Sequence, residues 1–153
     1  MPDPRAVEAY DAKIAAAFLR ANEKLTGLPA FLGVRFTEFQ PGLLRAELEV
    51  RDELLTPFQN LHGGVLSAVC DHVLGCVCYP HMRRGQWAAT TEFKLNLLAP
   101  VTKGRVRAEA EIVSLTRATA VVRIQIENDG RLAAIAQGTV LIRDPRPAEA
   151  APA

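Results

Sequence analysis

The sequence His-Gly-Gly-Val-Leu-Ser-Ala-Val-Cys-Asp-His-Val-Leu-Gly-Cys-Val-Cys-Tyr-Pro, residues 62–80, decides the fold of this chain. It is apolar along most of its length, it contains one acidic residue, Asp71, and Pro80 ends it. Apolar side chains recur at helical spacing and predict the stripe of a helix that faces a core: Leu66, Val69, Cys70, Val73 and Val77. The pattern therefore predicts a long apolar helix packed against other elements.

Another face of this predicted helix places Asp71 among small residues. Its neighbours at helical spacing are Gly64, Ser67, Ala68, Gly75 and Cys78. Three interpretations are open: an exposed carboxylate, a close contact with another helix or subunit, and room for a ligand with Asp71 as the reacting group. Exposed helix faces usually consist of Lys, Glu, Gln and Arg, which this face lacks. A carboxylate in an apolar setting costs free energy and is typical of a base or nucleophile.

His62-Gly63-Gly64 stands at the predicted N-terminus of the helix, where the first backbone N–H groups have no partner within the helix. Glycines let a ligand approach these groups, and the helix dipole favours negative charge there. The Gly63 N–H is therefore a candidate to hold a carbonyl oxygen that develops negative charge. For His62 the alternative is a structural residue that hydrogen-bonds the preceding loop.

The rest of the chain predicts one further helix and a series of strands. Residues 5–26 have the spacing of an amphipathic helix, and a hairpin is predicted over 33–39 and 44–50. Four further strands are predicted at 86–98, 105–115, 119–128 and 132–143, with a tight turn at Asp129-Gly130. The order predicts an α+β fold in which a long apolar helix is wrapped by an antiparallel sheet of five to six strands.

Length and composition predict one domain over residues 1–143, followed by a disordered Pro- and Ala-rich tail at 144–153. The formal net charge of +1 gives no reason to expect a nucleic-acid or membrane partner. No signal peptide is visible, and the apolar run 65–78 is too short to span a bilayer, so we expect a cytoplasmic protein.

The three cysteines, Cys70, Cys76 and Cys78, lie in the apolar run, and an odd number cannot pair fully within one chain. We interpret them as small buried side chains in a reducing compartment. No Cys and His set completes a tetrahedron around them, so no metal site is predicted.

His62-Gly63-Gly64, followed by six residues and Asp71, resembles the signature of the hotdog-fold acyl-CoA thioesterases, in the branch of the phenylacetyl-CoA and 4-hydroxybenzoyl-CoA thioesterases. Thr-Thr-Glu-Phe-Lys-Leu-Asn-Leu-Leu-Ala-Pro, residues 90–100, is similar to the next strand of that family, and residues 102–113 and 115–124 resemble the strands that follow. The resemblance covers residues 30–143. It implies the hotdog fold, here with an extra N-terminal helix.

The resemblance implies that Asp71 is the general base that activates water, or the nucleophile that forms an acyl intermediate. The Gly63 N–H would polarise the thioester carbonyl, and His62 would orient the site. Thr90 lies where some relatives have a hydroxyl that positions the water. Arg117 lies where contacts with the nucleotide of coenzyme A occur, although a solvated charge at a strand end is equally open.

The implied substrate-binding residues are Gly64, Thr56, Asn60, Gly75 and Arg117. The chain departs from the family at Thr56, where relatives have Asn or Gln, at Gln59, where they have Gly, and at Gly75, where some have Ser or Thr. Because of these changes the alternative of a non-catalytic hotdog protein that binds acyl-CoA or another apolar ligand stays open. A hydratase would have a His followed by a Pro- and Gly-rich stretch, which is missing here.

The family builds its site between subunits, with the acid from one and the His-Gly-Gly end from the other. A homodimer or homotetramer with a shared active site is therefore expected. No cofactor is implied, because coenzyme A enters as part of an acyl-CoA substrate. Phe58, Trp87 and Phe93 are candidates for an acyl pocket, although aromatic residues at strand positions more often belong to the core.

Overall fold

A computed structural model describes residues 1–145 of the chain. The helices are α1 (Pro4–Ala9), α2 (Ala12–Ala21), α3 (Gly27–Leu32) and α4 (Gly63–Cys76). The strands are β1 (Arg35–Gln40), β2 (Leu43–Glu49), β3 (Trp87–Leu97), β4 (Arg105–Leu115), β5 (Thr119–Asn128) and β6 (Arg131–Arg143). Single 3₁₀ turns occur at Asn22–Lys24, Asp52–Leu54 and Tyr79–His81.

The six strands form one antiparallel sheet in the order β1-β2-β4-β5-β6-β3. The predicted hairpin of β1 and β2 is confirmed, and so is the tight turn between β5 and β6, where Asp129 and Gly130 have φ values of 48° and 84°. β3 follows α4 in the chain but pairs with β6 at the far edge. The predicted hotdog arrangement of a sheet around one long helix is confirmed.

The sheet covers the apolar stripe of α4. All five predicted residues of that stripe are at most 3% exposed. The helix begins at Gly63 because the His62 side chain caps it, and it ends at Cys76, shortly before Pro80. By length and composition alone, the stretch Gly63–His81 could cross a membrane. In the structure it consists of the core helix α4 and the turn that follows it.

One glycine sets the distance between α4 and the sheet. A Cβ added to Gly138 in β6 would lie 2.5 Å from the Leu74 side chain and 2.6 Å from the Glu92 carbonyl oxygen. No side chain fits there, so the helix and strand β3 approach β6 more closely than any other residue would allow.

The N-terminal helix predicted over residues 5–26 is divided in the structure. The Asp3 carboxylate accepts a hydrogen bond from the Arg5 N–H at the start of α1, and the Asp11 carboxylate accepts one from the Lys13 N–H at the start of α2, both at 2.8 Å. Tyr10 between them is extended. The two aspartates cap separate helices. The hydrogen bond from the Lys13 N–H to Asp11 starts a new helix there, so one continuous helix does not form.

The buried side chains form one cluster that reaches from Ala6 to Val140. At the predicted start of the tail, the Asp144 carboxylate accepts a hydrogen bond from the Gln86 side-chain amide at 2.8 Å. Residues 146–153 lie outside the described part of the chain, so the single domain and its disordered tail stay predictions.

The two edges of the sheet differ. β1 has six residues and a β-bulge between Phe36 and Glu38. β3 has eleven residues, and none of them is buried. An edge strand of this length presents a row of backbone groups that can pair with another strand.

Candidate active site

An open cavity of about 840 Å³ lies between the small-residue face of α4 and strand β3. Four of the predicted site residues line it together: Gly64, Asp71, Gly75 and Thr90. The volume is in the range of ordinary ligand pockets. The strip of small side chains along α4 therefore borders a space of ligand size.

The Asp71 carboxylate is exposed on the wall of this cavity. It makes no hydrogen bond or ion pair with any residue within 1–145. Of the three interpretations of this carboxylate, the geometry favours room for a ligand or a second subunit, because the cavity lies directly against it.

One member of the predicted strip is wrong. Cys78 is fully buried, and Cys76 lines the cavity in its place. The chain tightens after α4, since the Cys78 N–H donates to the Gly75 carbonyl three residues back at 3.2 Å. This 3₁₀ geometry turns Cys78 toward the core.

His62 caps its own helix. Its Nδ1 accepts a hydrogen bond from the Gly64 N–H at 2.8 Å, so the neutral ring carries its proton on Nε2. The Gly63 N–H has no hydrogen-bond partner among the residues that the structure describes. The His62 side chain thus bonds its own helix, whereas its backbone N–H donates to the Leu54 carbonyl of the preceding loop at 2.9 Å. The free donor at this helix end is the Gly63 N–H.

The loop before His62 is a compact turn that places Asn60 beside the helix end. The Thr56 N–H donates to the Asn60 carbonyl at 2.7 Å, and the Gln59 N–H donates to the Thr56 carbonyl at 2.9 Å. Gln59 has a φ of 62°, in the left-handed region that favours glycine. This backbone conformation costs a non-glycine residue about 1 kcal/mol, which is a physical reason for the glycine that the sequence resemblance implies at this position.

Gly63 and Asp71 do not meet within one chain. Gly63 and Asn60 line a separate cavity of about 290 Å³, which Leu97 and Leu98 also border. The two residues are eight positions apart in α4. At about 1.5 Å per residue, their Cα atoms are separated by roughly 12 Å along the helix axis.

A β-bulge in β3 lies opposite Asp71. The register between β3 and β6 shifts between Thr90 and Glu92, and the Thr91 hydroxyl donates to the Thr139 carbonyl at 3.0 Å. Bulges redirect side chains next to functional sites. The bulge in β3 brings Thr91 and Glu92 to the cavity wall beside the predicted Thr90. The sequence analysis missed these two residues, because strict alternation does not reveal a bulge.

His72 is a further cavity residue that the sequence analysis missed. Its ring stacks on Phe36 with the ring centres 5.1 Å apart, and its Nδ1 lies 3.9 Å from the Cys76 sulfur. Burial lowers the pKa of His72. Its Nε2 is buried without a hydrogen-bond partner among residues 1–145. Its position next to Asp71 in the sequence is the signal that could have identified it.

The three cysteines are free thiols, and Cys70 and Cys78 are fully buried. Burial raises the pKa of each of the three thiols to about 12. They therefore stay protonated at neutral pH, as expected for small apolar side chains. Within the described residues no group of three His, Cys, Asp or Glu side chains could hold a metal, and a metal-free site stays a prediction.

Arg117 lies outside both cavities, exposed in the turn between β4 and β5. The neighbouring Ala118 carbonyl accepts a hydrogen bond from the Ile142 N–H at 2.8 Å. Ile142 pairs in turn with Ala88, which lines the large cavity. At about 4.8 Å per strand, the turn is roughly 10 Å from the cavity rim.

Comparison with known proteins gives one family. The family model described as Thioesterase superfamily matches residues 58–135. The chain is 31% identical over 109 residues to the proofreading thioesterase EntH of Klebsiella pneumoniae, covering 71% of this chain and 79% of that protein. It is 26% identical to a 1,4-dihydroxy-2-naphthoyl-CoA hydrolase of Listeria monocytogenes, covering 78% of this chain and 98% of that protein.

Solved structures show the same fold. A mutant thioesterase of Pseudomonas aeruginosa is 26% identical, has a TM-score of 0.80 and covers 88% of this chain and 97% of its own. A thioesterase of Haemophilus influenzae, at 22% identity, has a TM-score of 0.81 and covers 87% of this chain and 94% of its own. The family match contains His62, Asp71, Thr90 and Arg117, whereas helices α1 to α3 lie before it.

Proposed function

Because the chain belongs to the Thioesterase superfamily and is a thioester hydrolase, we propose that it hydrolyses acyl-CoA thioesters to a free acid and coenzyme A. The observation that supports this most is the Asp71 carboxylate, unpaired among the described residues, on the wall of a ligand-sized cavity. The relative from Listeria monocytogenes is named for a CoA thioester substrate.

Asp71 has two possible roles in this proposal. As a general base, its carboxylate takes a proton from water, and the water oxygen attacks the thioester carbonyl carbon. As a nucleophile, the carboxylate attacks the same carbon itself and forms an acyl-enzyme that water then hydrolyses. In both cases the carbon–sulfur bond breaks, and the thiolate of coenzyme A leaves and takes up a proton.

The Gly63 N–H is the proposed donor to the carbonyl oxygen, which gains negative charge as the carbon is attacked. His62 supports this role by position. Its Nδ1 accepts from the Gly64 N–H, so the cap leaves the Gly63 N–H free for the substrate. The helix dipole adds partial positive charge at the same point.

A complete site requires a second copy of the chain. A base that acts through one water lies within about two hydrogen-bond lengths of the reacting carbon, whereas Asp71 is roughly 12 Å along α4 from Gly63. The unburied β3 edge beside Asp71 offers a surface for that copy, and so do Leu97 and Leu98, which are 56% and 52% exposed. We therefore propose a homodimer, or a tetramer of such dimers, with Asp71 and Gly63 supplied by different subunits.

The remaining residues have binding roles in the proposal. Gly64 and Gly75 leave room for the acyl-thioester, and the Thr90 hydroxyl positions the attacking water. Thr56 shapes the loop that holds Asn60 near the carbonyl, and Arg117 contacts the phosphates of coenzyme A. The proposal involves no metal and no nucleic-acid or membrane partner. It places the protein in the cytoplasm.

The test compares Asp71→Asn with Glu127→Gln, a matched change of an exposed carboxylate on β5 that lines neither cavity beside α4. Thiol release from a panel of acyl-CoAs is measured for both variants and the unchanged protein. We expect kcat to fall by about 100-fold or more in Asp71→Asn, because a general base contributes roughly that much.

Glu127→Gln is expected to match the unchanged protein for every acyl-CoA. The proposal is refuted if no acyl-CoA in the panel releases thiol faster with the unchanged protein than with Asp71→Asn. Acid-quenched single turnovers analysed by mass spectrometry separate the two roles of Asp71, since only the nucleophile gives a covalent acyl-enzyme.

A further inference from the structure

A second, smaller cavity adjoins Asp71 inside the chain. It has a volume of about 210 Å³ and lies between α3 and α4. Leu28, Pro29 and Leu32 of α3 form one wall, together with Val34. Ala68, Asp71 and His72 line this cavity and also the large one, so the two spaces meet at the carboxylate.

The wall from α3 is held in place. A helix of six residues is too short to be stable alone, but the Arg51 guanidinium donates to the Leu32 carbonyl at 2.9 Å and to the Phe31 carbonyl. The same guanidinium lies 5.3 Å from the centre of the Phe31 ring, a cation–π distance. Leu32 and Val34 are 4% and 2% exposed and form a fixed back wall.

The volume limits what the cavity can hold. An engineered apolar cavity of about 150 Å³ binds benzene, so about 210 Å³ accommodates one six-membered ring with a substituent, or a short chain. A long fatty acyl chain does not fit. The wall is apolar, with His72 as its one polar neighbour besides the carboxylate. The segment that forms it lies before the matched family residues.

We propose that this α3–α4 cavity is the acyl pocket and that it restricts the enzyme to compact acyl groups, of about the size of hexanoyl or benzoyl. The proposal rests on the proposed acyl-CoA hydrolysis. Leu28 and Ala68 are the residues that set specificity. Leu28 is 57% exposed and closes the outer wall, and Ala68 stands where the acyl group passes from the large cavity.

The test measures kcat/KM for acetyl-, hexanoyl-, benzoyl-, lauroyl- and palmitoyl-CoA. We expect hexanoyl- and benzoyl-CoA to exceed lauroyl- and palmitoyl-CoA by about tenfold or more, since one methylene in an apolar pocket changes kcat/KM by roughly that factor. Leu28→Ala should raise the kcat/KM for lauroyl-CoA relative to that for hexanoyl-CoA by about tenfold. Leu132→Ala, a similarly exposed leucine on β6 at 41%, is the matched control and should leave the ranking unchanged.

Ala68→Leu fills the entrance and should lower kcat/KM for hexanoyl- and benzoyl-CoA about tenfold more than it lowers kcat/KM for acetyl-CoA. Circular dichroism and thermal unfolding establish that this variant is folded, and if it is not, Leu28→Ala decides alone. Equal rates for short and long chains, with no change of ranking in Leu28→Ala, overturn the pocket assignment and leave the hydrolysis standing. No turnover of any acyl-CoA above that of Asp71→Asn overturns the proposed function itself.

Discussion

At the scale of single residues, the start of α4 depends on one free hydrogen-bond donor. Gly63 is the first residue of the helix, and its N–H is unbonded among the described residues. His62 before it has φ and ψ of −62° and 132°, which suits a residue that precedes proline. A proline at the first helical position is well tolerated, since no N–H is needed there for the helix.

Gly63→Pro therefore removes the proposed oxyanion donor with little loss of stability. We expect kcat to fall by about 10²- to 10³-fold, as for other lost oxyanion donors. Gly63→Ala is the matched control, because it adds the same Cβ, 2.9 Å from the flexible end of Leu97, but keeps the N–H. Steady-state kinetics and thermal unfolding of both variants are the measurement, and equal losses in both would assign the effect to bulk instead.

Helical spacing in the sequence predicted the part of this site that lies on one face of α4. Asp71, Gly64 and Gly75 fall on one face and line one cavity, as the small strip suggested. The prediction that Cys78 lies on the same face was wrong, because α4 is followed by a tighter turn that helical spacing does not reveal. His72 was missed because a stack on Phe36 joins two distant parts of the chain.

At the scale of elements, the packing of α4 against β6 requires glycine at one point and not at another. The Leu74 side chain and the Glu92 carbonyl occupy the space beside Gly138. Gly75 in α4 has nothing within 4 Å of an added Cβ. Two chemically identical substitutions in neighbouring elements should therefore have opposite effects on stability.

Gly138→Ala is expected to lower the free energy of unfolding by about 3 kcal/mol, because the backbone at Glu92 cannot yield. Gly75→Ala is expected to raise it by up to about 1 kcal/mol, since alanine favours a helix interior more than glycine. Urea unfolding followed by circular dichroism measures both. A destabilised Gly75→Ala variant would show that the cavity face of α4 is filled in solution.

Element types followed from the sequence better than element ends. The sequence predicted all six strands, and in β1, β2, β4 and β5 the signal was alternation of polar and apolar residues. The N-terminal helix was predicted as continuous, since apolar spacing persists through the break, yet Asp3 and Asp11 cap two helices. The bulge at Thr90 and Glu92 also left no trace, because an extra residue preserves the composition of a strand.

At the scale of the whole molecule, the proposed site is divided between two chains. A mixture of Asp71→Asn and Gly63→Pro chains tests this division directly. In a mixed dimer, one site receives both defects and the other receives neither. Random pairing of equal amounts then leaves about a quarter of all sites intact.

We expect the co-refolded mixture to recover about a quarter of the unchanged activity, although each variant alone retains only about 1% of it or less. Each variant refolded by itself and then combined without exchange is the control. If both groups came from one chain, every site in a mixed dimer would have one defect, and thiol release would stay at the level of the single variants.

The unequal edges of the sheet decide where such an assembly stops. β1 is short and bulged, and its Glu38 forms an ion pair with Arg45 of β2, features that discourage strand addition. β3 alone is long and unprotected. If two copies pair β3 with β3 about a two-fold axis, the backbone groups of both β3 edges are hydrogen-bonded to each other. Only the two β1 edges then remain at the ends of the combined sheet. The same surface that would otherwise template a growing fibre thus yields a closed particle of fixed size.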